Sequence, residues 1–122
     1  MKPLRILVID DESVICEACH LVLSENGHTV DSCMTGKTGL IAIERGAYDV
    51  ILLDMKLPDV DGMEILKTVR EKTAAPCVVV MTGYSTLSNA VEAMKLGAAD
   101  YLAKPFTDDD LIEAVEKAFN DQ

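Results

Sequence analysis

A chain of 122 residues, 49% hydrophobic and 26% charged, has the size and make-up of one compact globular domain with a real core. Its formal net charge of −10 argues against direct contact with nucleic acid or an anionic membrane, and suits a divalent cation or a basic partner. No run reaches the roughly 20 apolar residues that span a bilayer, and the opening Met-Lys-Pro-Leu-Arg has no secretory apolar region, so a cytoplasmic location is expected.

The first apolar run, Arg5–Ile9, is mostly β-branched and predicts a strand covered on both faces. Ser13 then reads as the cap of a helix ending near Asn26-Gly27, with Ile15, Ala18, Cys19 and Val22 inward and Cys16 near the edge of that face. Thr29–Cys33 is more polar and suits an edge strand. A second helix is predicted over 37–45, stopped by Gly46, followed by a buried strand at 49–53. The third helix, 63–72, turns Ile65, Leu66 and Val69 inward, and the next buried strand is 77–81. The fourth helix, 85–96, is stopped by Gly97 and places Leu87, Val91 and Met94 on one side. Asp100–Ala103 is the last strand, and Thr107-Asp108-Asp109-Asp110 resembles a capping box for a helix presenting Leu111, Ala114, Val115 and Ala118. Gly27, Gly46 and Gly97 are expected to close their helices in a left-handed conformation. Five rounds of strand and helix imply a doubly wound α/β domain over residues 1–122, with a parallel sheet and helices on both faces.

Open parallel sheets bind ligands at the carboxyl ends of their strands. There the chain supplies Asp10, Asp11 and Glu12 after strand one, Asp54 after strand three, Thr82 after strand four and Lys104 after strand five. Carboxylates about 4 Å apart repel by roughly 4 kcal/mol at an effective dielectric near 20, so either one is protonated or a cation sits among them. A hard divalent ion with oxygen ligands suits such a set. An aspartate flanked by a metal site, a hydroxyl and an ammonium is arranged to attack a phosphoryl group. Singly, each residue has a plainer reading as a solvated turn, a helix-terminal acid, a loop threonine or an exposed lysine; the conjunction carries the chemistry.

These residues stand in stretches that resemble the successive signatures of response-regulator receiver domains. They are Ile-Leu-Val-Ile-Asp10-Asp11-Glu12, Ile-Leu-Leu-Asp54-Met-Lys-Leu-Pro58-Asp-Val-Asp61-Gly62, Met-Thr82-Gly83-Tyr84 and Ala99-Asp100-Tyr101-Leu-Ala-Lys104-Pro105-Phe106. The resemblance implies a flavodoxin-like sheet in the order 2-1-3-4-5 with five helices. It implies Asp54 as phosphoacceptor and Mg²⁺ held by Asp11, Asp54 and the Lys56 backbone carbonyl, with Asp10 acting through a bound water. Thr82 and Lys104 would grip the phosphoryl oxygens, the Lys104-Pro105 bond would be cis, and Tyr101 would be the aromatic switch residue. Lys56 and Tyr84 would flank the path of an attacking water and tune dephosphorylation. The implied partners are a sensor histidine kinase or phosphotransfer protein and a downstream effector domain or protein governing transcription or motility. A homodimer through helix four, strand five and helix five is left open. The stretch from Met81 to Leu102 is similar to receivers that precede AAA+ transcriptional activators. No enzyme activity is implied beyond self-phosphorylation and autodephosphorylation.

Other signals are set aside. Cys16-Glu-Ala-Cys19-His20 matches a haem-attachment pattern, but it falls mid-helix and no export signal precedes it. With Cys33 and Cys77, these cysteines are expected to be reduced, small hydrophobes. His20 and His28 lack the bundle surface of a phosphotransfer histidine, and Met63, Met81 and Met94 read as packing. A haloacid dehalogenase-type phosphatase would need an acid where Lys56 stands, and a flavodoxin-like carrier would need a hydroxyl-rich phosphate loop where Asp10-Asp11 stands. A pseudo-receiver would lack one of Asp54, Thr82 or Lys104.

Overall fold

The computed structural model describes residues 2–83 and 87–121. Five strands, β1 (Arg5–Ile9), β2 (Thr29–Cys33), β3 (Val50–Asp54), β4 (Cys77–Thr82) and β5 (Asp100–Ala103), form one parallel sheet in the order β2-β1-β3-β4-β5. They alternate with α1 (Ser13–Glu25), α2 (Gly36–Arg45), α3 (Gly62–Arg70), α4 (Leu87–Lys95) and α5 (Asp108–Asn120). The flavodoxin-like order expected from the sequence is the one observed.

Strand side chains alternate between two cores because successive residues point to opposite faces. Ile6, Val8, Val50, Leu52, Val79 and Met81 meet Cys19, Leu23, Leu111 and Val115 of α1 and α5. Leu7, Ile9, Ile51, Leu53, Val78 and Val80 meet Ile43, Ile65, Leu66 and Ala93 of α2, α3 and α4. Continuous apolar runs therefore arise because both faces are covered. Each fully buried leucine or isoleucine stabilises by about 1.5–3 kcal/mol.

Several local expectations are corrected. The α1 cap position is Glu12, whose side chain makes no cap bond, and Ser13 is the first helical residue. The buried stripe of α1 is Cys16, Cys19, Val22 and Leu23, with Ile15 and Ala18 only partly covered. Gly27 and Gly97 close their helices at φ +88° and +105°. Gly46 does not, since its φ is −102°. In α4 the inward residues are Ala90 and Ala93, whereas Val91 and Met94 point outward. Small alanines face the sheet here, which leaves Val91 and Met94 outside the contact. Of the three methionines read as packing, Met81 is buried, Met63 is half-buried and Met94 is exposed. The proposed start of α4 at Ser85, and Tyr84, lie outside the described residues. The four cysteines are free thiols; Cys16, Cys19 and Cys77 are buried and Cys33 partly so. The capping box at Thr107 is complete: its hydroxyl accepts from Asp110 N–H and the Asp110 carboxylate accepts from Thr107 N–H. No helix among the described residues is long and apolar enough to cross a membrane.

Candidate functional site

Parallel pairing brings the carboxyl ends of β1, β3, β4 and β5 to one edge of the sheet. Asp54 and Thr82 are the last residues of β3 and β4, both buried, and Asp10 follows β1 directly. Asp10 is tied down by its own backbone, whose N–H donates to Cys33 O at 3.0 Å and whose carbonyl accepts from the Cys16 thiol at 3.4 Å. That thiol contact is not legible in the amino-acid pattern, because it depends on how α1 sits against β1. The Glu12 N–H donates to Asp10 Oδ1 at 2.9 Å, closing the turn into α1.

Carboxylate oxygens of Asp10, Asp11, Glu12 and Asp54 lie within 4.8 Å of one another. Lys104 answers them. Its Nζ stands 2.7 Å from Asp10 Oδ2, 3.1 Å from Glu12 Oε1 and 3.5 Å from Asp54 Oδ2. Asp10 Oδ2 is fully buried and accepts no well-aligned hydrogen bond among the described residues, so the ammonium compensates it chiefly by charge. The Lys104 N–H donates to Thr82 O at 2.6 Å, which ties it to the end of β4, and the Lys104-Pro105 bond is cis as expected.

Burial pushes the Asp54 carboxyl above the ordinary range; the Lys56 N–H bond opposes this, the Asp10 charge adds to it and Lys104 opposes it. Burial alone would lower the Lys104 ammonium, but the close contact with Asp10 at 2.7 Å and the Asp54 charge outweigh it and raise it. Asp10, Asp11, Glu12 and Asp54 outnumber the Lys104 ammonium that reaches three of them, so their cluster stays rich in negative charge. Oxygen donors at this spacing, one pair exposed and one pair buried, fit a partly hydrated divalent cation. A cleft of about 400 Å³ lies at the other end of the sheet, lined by Tyr48, Asp49, Lys72 and Pro76. It gathers no comparable charge.

All of Asp10, Asp11, Asp54, Thr82 and Lys104 thus meet at one end. Lys56 is beside them, its N–H donating to Asp54 Oδ1 at 3.0 Å. Tyr101 is on β5 and 45% exposed, so its ring is turned outward. Tyr84 lies outside the described residues.

A family model described as the response regulator receiver domain matches residues 6–116. The chain belongs to that family. This receiver domain is 38% identical over 112 residues to the transcriptional regulatory protein DltR of Streptococcus agalactiae, covering 92% of the chain and 50% of DltR. It is 36% identical to the transcriptional regulatory protein ZraR of Escherichia coli, covering 93% of the chain and 26% of ZraR. The receiver domain therefore spans half or less of these relatives. Among solved structures, a response regulator receiver domain protein from Clostridium thermocellum superposes with TM-score 0.88 at 40% identity, covering 97% and 95% of the two chains. NtrX from Brucella abortus gives 0.92 at 31% identity, covering 98% of this receiver domain and 28% of NtrX. Receiver domains of this family serve two-component systems and are switched by phosphorylation of an aspartate.

Proposed function

We propose that Asp54 is the phosphoacceptor of this receiver domain. The observation that carries the reading is the single pocket in which Asp54 meets Asp10, Asp11 and Glu12 and lies 3.5 Å from Lys104 Nζ. An Asp54 oxygen would attack phosphorus while the bond to the donor's histidine nitrogen breaks. Lys104 and the Thr82 hydroxyl would hold the phosphoryl oxygens, and Asp10 would keep Lys104 aligned. Asp11, Asp54 and the Lys56 carbonyl would hold Mg²⁺, with Asp10 acting through a water. When bound, the cation neutralises charge on the transferring group.

Thr82, drawn to the phosphoryl group, would leave room on the β4 side for Tyr101 to turn inward. The face of α4, β5 and α5 would then change shape for a downstream effector or a second copy. Lys56 and Tyr84 would set the lifetime of the phosphorylated form. The donor would be a cytoplasmic sensor kinase or phosphotransfer protein, and residues 1–122 would act as one switching unit rather than as an enzyme. DltR and ZraR are transcriptional regulatory proteins, which supports a transcriptional output.

The test is intact mass after incubation with acetyl phosphate and Mg²⁺. A gain of about 80 Da, lost in Asp54→Ala and in EDTA, is expected for an acyl-phosphate acceptor. An adduct that survives Asp54→Ala would move the acceptor elsewhere.

A further inference from the structure

The segment joining β3 to α3, residues 55–61, contains the Lys56 peptide and is fastened at three places. Lys56 N–H donates to Asp54 Oδ1, and Lys56 pairs with Asp61 in an isolated antiparallel bridge. Asp61 Oδ1 in turn accepts from Met63 N–H at 3.0 Å, capping α3. The third fastening reaches across to another helix. Asp59 Oδ1 accepts from Gly36 N–H at 2.9 Å and Oδ2 from Lys37 N–H at 3.0 Å.

This bond pair is not the ordinary cap of α2. Thr35 already fills that role, its hydroxyl accepting from Thr38 N–H at 3.1 Å. A helix start leaves several amides unsatisfied, and Asp59 takes the two that Thr35 does not reach. The contact is close-packed, because a Cβ on Gly36 would come within 2.7 Å of Val60 Cβ. At the other end of the segment, a Cβ on Gly62 would come within 2.8 Å of Met55 Cα. The segment has no regular structure of its own, so its shape depends on these ties. The two Asp59 bonds hold the Asp59 carboxyl below the usual carboxylate range.

We propose that Asp59 is a positioning residue for the cation site, locking residues 58–61 onto α2 so that the Lys56 peptide is held in register with Asp54. This rests on the reading that the Lys56 carbonyl and the carboxylates of Asp11 and Asp54 receive Mg²⁺. Partners behind a metal ligand set its direction, and their loss weakens metal binding substantially. Because coupling between sites is reciprocal, cation binding should also steady the first turn of α2.

The experiment titrates Mg²⁺ by calorimetry into wild type, Asp59→Ala, Asp59→Asn and Thr35→Ala, with thermal melts in EDTA alongside. Asp59→Ala is expected to weaken Mg²⁺ about tenfold. Asp59→Asn should fall between, since a carboxamide keeps one acceptor oxygen, and it serves if the alanine variant does not fold. Thr35→Ala removes the helix cap and lowers the melting temperature, but should leave Mg²⁺ affinity unchanged. In wild type, hydrogen exchange at Gly36 and Lys37 should slow when Mg²⁺ is added. Wild-type affinity in both Asp59 variants, or an equal loss in Thr35→Ala, would overturn the positioning role. Failure of wild type itself to bind Mg²⁺ would instead remove the cation site on which the role depends.

Discussion

Replacing Lys104 with methionine keeps most of the side chain's bulk and deletes an ammonium that meets Asp10, Glu12 and Asp54. At an effective dielectric near 20, its attraction is about 6 kcal/mol to Asp10 at 2.7 Å and about 5 kcal/mol to Asp54 at 3.5 Å. Desolvation offsets much of this, and breaking such a pair typically costs about 3–5 kcal/mol because a buried charge is left alone. The exposed Glu12 contact adds little. A ceiling comes from protonation: neutralising a carboxylate of ordinary pKa near 3.9 at about pH 7 costs about 4 kcal/mol, so the folded variant would take up a proton before losing more. Lys104→Met is therefore expected to lose about 3–4 kcal/mol near pH 7 in EDTA, and this gap should narrow by about 1.4 kcal/mol per pH unit toward pH 5. If the acidic cluster takes Mg²⁺ as proposed, excess Mg²⁺ would bring positive charge to the same oxygens and should stabilise the variant more than wild type. Urea unfolding at two pH values, with and without Mg²⁺, measures all three terms. Equal midpoints in EDTA, or a gap as wide near pH 5 as near pH 7, would show that Lys104 is not the pocket's counter-charge.

A second expectation concerns His28, which is buried and accepts the Leu4 N–H at Nδ1, 3.0 Å away, leaving Nε2 without an acceptor among the described residues. Burial lowers its pKa, opposed by Glu116, so the folded chain holds it neutral. The unfolded chain protonates first, so stability from His28 is present above about pH 6.5 and lost below it, by at most about 1.4 kcal/mol per pH unit. His28→Gln should flatten the fall in melting temperature between neutral and mildly acid pH, and parallel pH profiles for the two proteins would rule this out. A third concerns Gly62→Ala, whose methyl group would press on Met55 backbone atoms that have little freedom to move. It should lose about 1–3 kcal/mol in a urea titration, the usual penalty of overpacking, and an unchanged midpoint would show that the segment after β3 yields.

Much of the fold was legible because both sheet faces are covered: runs such as Ile6 to Ile9 and Val78 to Met81 have no other comfortable home. The gathering of Asp10, Asp54, Thr82 and Lys104 followed from their places at the carboxyl ends of parallel strands. What failed were the helix faces. In α4, Val91 and Met94 fit a helical period as well as Ala90 and Ala93 do, and only the helix-to-sheet distance decides between them. Cys16, expected near the edge of the core, is buried with its thiol on the Asp10 carbonyl, a contact the apolar pattern of α1 does not show. The Asp59 ties were invisible for another reason. They join residues 22 and 23 positions apart, and an aspartate in Leu-Pro-Asp-Val-Asp looks like any turn residue until α2 is seen against it. His28 gave no warning either, since burial of one imidazole depends on the meeting of β1, β2 and α5.

The place of each strand in the sheet has a consequence for how such a domain diversifies. Asp54 sits on β3, held between β1 and β4, whereas Tyr101 sits on β5, which has a neighbour on one side only. The outer surface beside it presents Val91, Met94 and Tyr101 to solvent. None of these three residues belongs to a central strand or to the acidic cluster. Selection can therefore rewrite what the domain speaks to while leaving untouched the chemistry that makes it speak.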